Sequence, residues 1–91
     1  MTTRWTLEEK KVLDNFLDGE RIVRLPARQK KRLVILRWLL EQFERGRRYP
    51  QAELNALIRP HHPDVAQIRR EWFEFGMMDR KDDVYWRIDD A

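Results

Sequence analysis

The chain has 91 residues, enough for one small domain with a core of its own. Hydrophobic residues make up 42% and aromatic residues 11% of it, which excludes a disordered chain even though 38% of the residues are charged. Net charge is only +3, and neither cysteine nor serine occurs, so disulfides, thiolate zinc sites and a serine or cysteine nucleophile are excluded too.

The three glycines, Gly19, Gly46 and Gly76, stand too far apart for a phosphate-cradling loop. The longest uncharged apolar run covers only 33–36, too short for a membrane helix. The opening MTTRWTLEEKK lacks the apolar core of a signal peptide. The expectation is a cytoplasmic protein, not an enzyme, with no cofactor and no membrane contact.

In chain order, Thr6 and Glu9 have the spacing of a capping box. Leu7, Val12, Leu13, Phe16 and Leu17 follow at near-helical intervals, which predicts a helix over 7–17 closed by Asp18-Gly19. ERIVRLP then reads as an extended segment or tight connector ended by Pro26. The strongest helix is predicted over 27–44, where Leu33, Leu36, Leu40 and Phe43 repeat at 3-4-3 spacing and Leu39 widens the stripe. Val34 and Trp38 lean to the other side, so this helix packs on more than one face. Gly46 stops it.

Tyr49-Pro50 reads as an extended piece feeding a short helix over 51–59, ended by Pro60. Asp64 caps a helix over 65–75, with Val65, Ile68, Trp72 and Phe75 toward the core and Gly76 closing it. MMDRKDDVYWRI is expected to form two strands about Lys81-Asp82-Asp83, and Asp89-Asp90-Ala91 a loose acidic tail.

The expected fold class is mainly α with a small β-hairpin, an α+β single domain over 1–91. From residue 27 onward the element order is that of a winged helix-turn-helix, preceded by an extra N-terminal helix.

Three stretches, LPARQKKRLVILRWLLEQFERGRRYPQAELNALI, DVAQIRREWFEFGMMDR and VYWR, together resemble a small prokaryotic domain family of unknown function. Its pattern is a leucine-proline pair, a lysine-rich helix start, an aromatic-Gly-Tyr turn, a Glu-x-x-Asn-like helix, a Leu-Arg-Arg-Glu helix and a hairpin ending in Tyr-Trp-Arg. The resemblance covers roughly 16–87. Departures are conservative: Arg28 for the usual lysine, Ile68 for leucine, and Met77-Met78 for a leucine-rich pair. Members occur alone or attached to helix-turn-helix regulators, so the resemblance implies a fold and a regulatory neighbourhood but no chemistry.

Charge supplies the functional question. Residues 1–26 balance to zero, 27–50 carry +6 and 51–91 carry −3. A helix N-terminus bears about half a positive charge, and a cation there is unfavourable by about 0.3–1 kcal/mol. Yet the central helix opens with Arg28, Lys30, Lys31 and Arg32. Either an anion occupies that end, or carboxylates from the N-terminal helix or a partner chain neutralise it.

An anion of the right kind is the backbone phosphate of double-stranded DNA. Arg28, Lys30, Lys31 and Arg32 would contact it, assisted by Arg47 and Arg48 in the turn after the helix. On the 65–75 helix, Gln67 is the candidate reader of adenine, and Arg69 and Arg70 of guanine. Glu71 and Glu74 on that same face and the acidic tip DRKDD oppose this. Arg70 and Glu74 also have the spacing of a surface ion pair.

The alternative is an interaction module, a homodimer or a dock for a regulatory protein, presenting exposed members of Trp5, Trp38, Trp72, Phe73 and Trp86. His61-His62 with Asp64 lacks further ligands for a metal, and the paired acids Glu8-Glu9 and Asp82-Asp83 have nothing to raise a pKa. Neither a metal site nor acid–base catalysis is expected.

Overall fold

A computed structural model describes residues 5–88; the acidic tail at 89–91 lies outside them. Among the described residues are four helices and two small antiparallel sheets. The capping box forms: Thr6 Oγ1 accepts from the Glu9 N–H at 3.0 Å, and Glu9 Oε1 accepts from the Thr6 N–H at 2.9 Å. It starts α1, Leu7–Phe16, which buries Val12 and Phe16. The next residues leave the helix for a strand pair, β1 at Leu17–Asp18 and β2 at Arg21–Ile22. The Ile22 N–H then donates to the His61 carbonyl at 2.8 Å, fastening this hairpin across the fold.

α2, Gln29–Leu40, buries Val34, Ile35, Leu36, Leu39 and Leu40, so it is covered on more than one face as expected. Leu33, expected in the core stripe, is only half-buried. The helix also ends four residues before the predicted 44. Its last turns are drawn away by tertiary partners. Gln42 and Phe43 donate to the carbonyls of Leu39 and Leu40 at 3.1 and 3.0 Å, one residue tighter than an α-helix. Arg87 Nη1 donates to the Phe43 carbonyl at 2.9 Å, and the Tyr49 hydroxyl accepts the Glu44 N–H at 2.8 Å.

β3, Tyr49–Pro50, leads directly into α3, Gln51–Ile58, which buries Leu54 and Ile58. Asp64 caps α4, Val65–Glu74, by accepting the Gln67 N–H at 3.1 Å. Trp72 is fully buried, and its Nε1 donates to the Leu36 carbonyl at 3.0 Å, pinning α4 against α2. α4 closes in a Schellman motif: Met77 N–H donates to the Trp72 carbonyl at 2.8 Å and Gly76 N–H to that of Phe73 at 3.2 Å. That motif needs a left-handed residue, which Gly76 supplies at φ 72°.

β4, Met78–Lys81, and β5, Val84–Arg87, form the expected hairpin, and β3 joins it to give the order β3-β5-β4. Lys81 pairs with Val84, so the connection has two residues, Asp82 and Asp83, at φ 53° and 63°. Positive φ at both is the signature of a type I′ turn, whose twist matches the strands. The outer strand guards its edge, since Asp79 Oδ1 accepts the Arg80 N–H at 2.8 Å and withholds it from a further strand. Pro50 and the Gln51 N–H, which donates to the Asp83 carbonyl at 2.8 Å, close the sheet's other end.

Candidate functional site

The N-terminus of α2 is chemically exposed in an unusual way. Arg28 is its N-cap in an extended conformation, and no side chain caps the helix. No acid stands in its first turn. The first-turn amides are therefore unanswered by any carboxylate of their own helix. Arg28, Lys30 and Lys31 are exposed, and their side chains make no hydrogen bond or ion pair with the described residues. They line one side of a groove of about 260 Å³ between α1 and α2, floored by Val12 and Val34. Glu8 and Glu9 of α1 also line it.

Arg32, the fourth cation of that turn, is used differently. Its Nε and Nη2 donate to Glu71 Oε1 and Oε2 at 2.6 Å each, and Nη1 donates to the Pro26 carbonyl at 2.9 Å. Every nitrogen of the guanidinium thus has a partner inside the fold, and Arg32 is a strut between α2 and α4. Glu71, expected on the outer face of α4 beside Glu74, is instead 7% exposed. The reason is this bidentate pair, which satisfies a carboxylate that could not otherwise be buried. The Arg32 hydrogen bonds hold the Glu71 carboxyl below the usual carboxylate range against the opposing effect of burial. The same bonds push Arg32 up.

Carboxylates therefore neutralise part of the basic helix. Glu9 Oε2 accepts from Arg37 Nη2 at 2.9 Å, and the Arg37 guanidinium lies 4.4 Å from the Trp5 ring centroid. The Glu9 carboxyl sits below its usual range, chiefly through the Thr6 N–H and then through Arg37. Glu71 does the same for Arg32 from α4, an element from which sequence gave no reason to expect it.

The remaining candidates are scattered. Arg47 pairs with Glu53 and, at 3.5 Å, with Glu44, and it covers the Tyr49 ring at 4.6 Å. Arg48 is exposed, its guanidinium 4.2 Å over the Trp86 ring. Gln67 is half-buried and donates to Glu71 Oε2 at 3.0 Å. Arg69 turns toward the sheet and donates to the Tyr85 hydroxyl at 3.0 Å. Arg70 alone of the three expected base readers is fully at the surface, and it forms no ion pair with Glu74.

Of the aromatic residues, Trp72 is core, Trp5, Trp38 and Trp86 are half-buried, and Phe73 is 42% exposed under Arg80. His61 and His62 diverge: His61 Nδ1 donates to the Glu20 carbonyl, whereas His62 Nδ1 accepts the Asp64 N–H at 3.1 Å. No cluster of three metal-ligating side chains and no helix long and apolar enough to cross a membrane occurs among the described residues.

These features define a small α+β domain with a basic helix end. A family described as "Uncharacterized protein conserved in bacteria (DUF2087)" matches residues 21–87, and the chain belongs to it. The match begins after α1 and takes in everything from β2 to β5. No curated protein and no solved structure matches the chain.

Proposed function

We propose that this domain binds double-stranded DNA through its phosphate backbone, using Arg28, Lys30 and Lys31 at the N-terminus of α2. The observation that carries this is the uncapped helix end whose three exposed cations have no partner among the described residues. Phosphate oxygens would satisfy the free amides and the side chains together, and would reverse the unfavourable dipole interaction. The order α2-β3-α3-α4-β4-β5 supports a winged helix-turn-helix in which α4 stands at the recognition-helix position and β4–β5 form the wing. A cytoplasmic role beside helix-turn-helix regulators is consistent with that architecture.

Base reading would be weak. Gln67 and Arg69 have intramolecular partners and only Arg70 projects freely, while the wing tip carries Asp82 and Asp83. Contact is therefore with the backbone and largely independent of sequence. The test is fluorescence anisotropy with a labelled random-sequence duplex at several salt concentrations. Affinity should fall steeply with salt, and Lys30→Glu/Lys31→Glu should lower the log–log slope by about 0.9 per lost phosphate contact. No binding at low salt overturns duplex binding.

One observation favours an interaction module instead: Phe73, exposed on α4 and stacked 4.4 Å beneath Arg80, has the aromatic–arginine character of an interface anchor. If that is its use, sedimentation should reveal self-association that Phe73→Ala abolishes.

A further inference from the structure

α1 precedes the segment that the family match covers, yet it is built into the fold through the buried Val12 and Phe16. Its first turn brings Glu8 and Glu9 to the groove that Arg28, Lys30 and Lys31 also line. Glu9 is fixed there by the Thr6 N–H on one oxygen and by Arg37 on the other. Glu8 makes no hydrogen bond or ion pair with the described residues, so its charge stands uncompensated at the rim. Both carboxylates sit at the favourable end of the α1 dipole.

A polyanion approaching the three free cations of α2 therefore meets two carboxylates across the same groove. We propose that α1 is an electrostatic brake on the basic face of α2: Glu8 and Glu9 hold down its affinity for duplex phosphate. The inference rests on the duplex binding proposed above and names its regulation. Displacing α1, or neutralising its first turn, releases the full positive field of Arg28, Lys30 and Lys31.

The test compares wild type, Glu8→Gln and Glu8→Gln/Glu9→Gln by anisotropy with the labelled random-sequence duplex at low and high salt. Glutamine at position 9 keeps the capping box, and Glu8→Gln alone leaves the Glu9–Arg37 pair untouched. Asp14→Asn/Asp18→Asn removes the same net charge from residues that do not line the groove and serves as the control. The brake requires the double variant to bind about threefold to tenfold tighter than wild type at low salt, with a gain that shrinks as salt screens it. Glu8→Gln should show part of that gain and the control little.

A gain no larger than the control's overturns the brake while leaving duplex binding intact. No binding by any of the proteins excludes duplex binding, and the brake falls with it.

Discussion

Replacing Glu71 with alanine leaves the Arg32 guanidinium facing α4 with no acceptor for two of its hydrogen bonds. Removing one partner of a fully buried pair costs about 3–5 kcal/mol. The Arg32 side chain keeps 20% of its exposure and Glu71 only 10%, so water can reach the arginine in part. The expected loss is thus about 2–3 kcal/mol after that discount. For a domain of this size one kcal/mol moves the midpoint by about 4–8 °C, so Tm should fall by about 10–20 °C. Urea denaturation followed by tryptophan fluorescence measures the loss, because the buried Trp72 lies on the same helix.

The double variant Arg32→Met/Glu71→Met removes both charges and their desolvation, and should recover more than half of it. The pair also sets an acid dependence. The Glu71 carboxyl is depressed in the folded chain, so its contribution is complete above the ordinary carboxylate range and is lost as pH falls through the folded value. Wild type should therefore lose stability on acidification more steeply than Glu71→Ala. A Glu71→Ala protein within about 0.5 kcal/mol of wild type, the range of an ordinary surface change, would refute the role given to this pair.

Three further changes address the frame around the site. Trp72→Phe deletes the bond to the Leu36 carbonyl and part of a fully buried ring, and should destabilise by about 2–4 kcal/mol in chemical denaturation. Gly76→Ala places a Cβ at φ 72° with open space around it, so calorimetry should register only backbone strain, about 1 kcal/mol. Asp82→Asn/Asp83→Gly supplies the residues that a type I′ turn prefers and should raise Tm by a few degrees, equivalent to about 0.5–1 kcal/mol.

Local chemistry was legible in the sequence and long-range pairing was not. The Thr6–Glu9 box, the Asp64 cap and the Gly76 stop each depend on neighbours a few positions away, and each is where the pattern indicated, whereas the turn expected about Lys81-Asp82-Asp83 is narrower because Lys81 pairs with Val84. The end of α2 falls short of the expected 44 because the residues after Leu40 answer to distant partners: Arg87, 44 residues beyond Phe43, takes the Phe43 carbonyl. Tyr49-Pro50 read correctly as extended, but its place beside β5 depends on a distant strand.

The same distinction runs through the candidate site. Arg28, Lys30, Lys31 and Arg32 form one run in sequence, yet a carboxylate 39 residues away separates Arg32 from the other three. Helical spacing puts Glu71, three residues after Ile68 and four before Phe75, at the edge of the apolar stripe of α4, but nothing local points to the arginine that allows its burial. Gln67 and Arg69 likewise left no trace of the partners, Glu71 and Tyr85, that turn them inward. Carboxylates of the first helix are an expected neutraliser for the start of α2, but Glu9 pairs with Arg37 further along the helix instead.

Titrating the isotopically labelled domain with a random-sequence duplex at low salt, and following its backbone amides by NMR, tests phosphate binding at the α2 N-terminus most directly. The amides of Gln29, Lys30 and Lys31 should shift first and furthest, with smaller changes at Glu8 and Glu9 across the groove. Shifts confined to α4 and the β4–β5 turn, or no shifts at any duplex concentration, would contradict it.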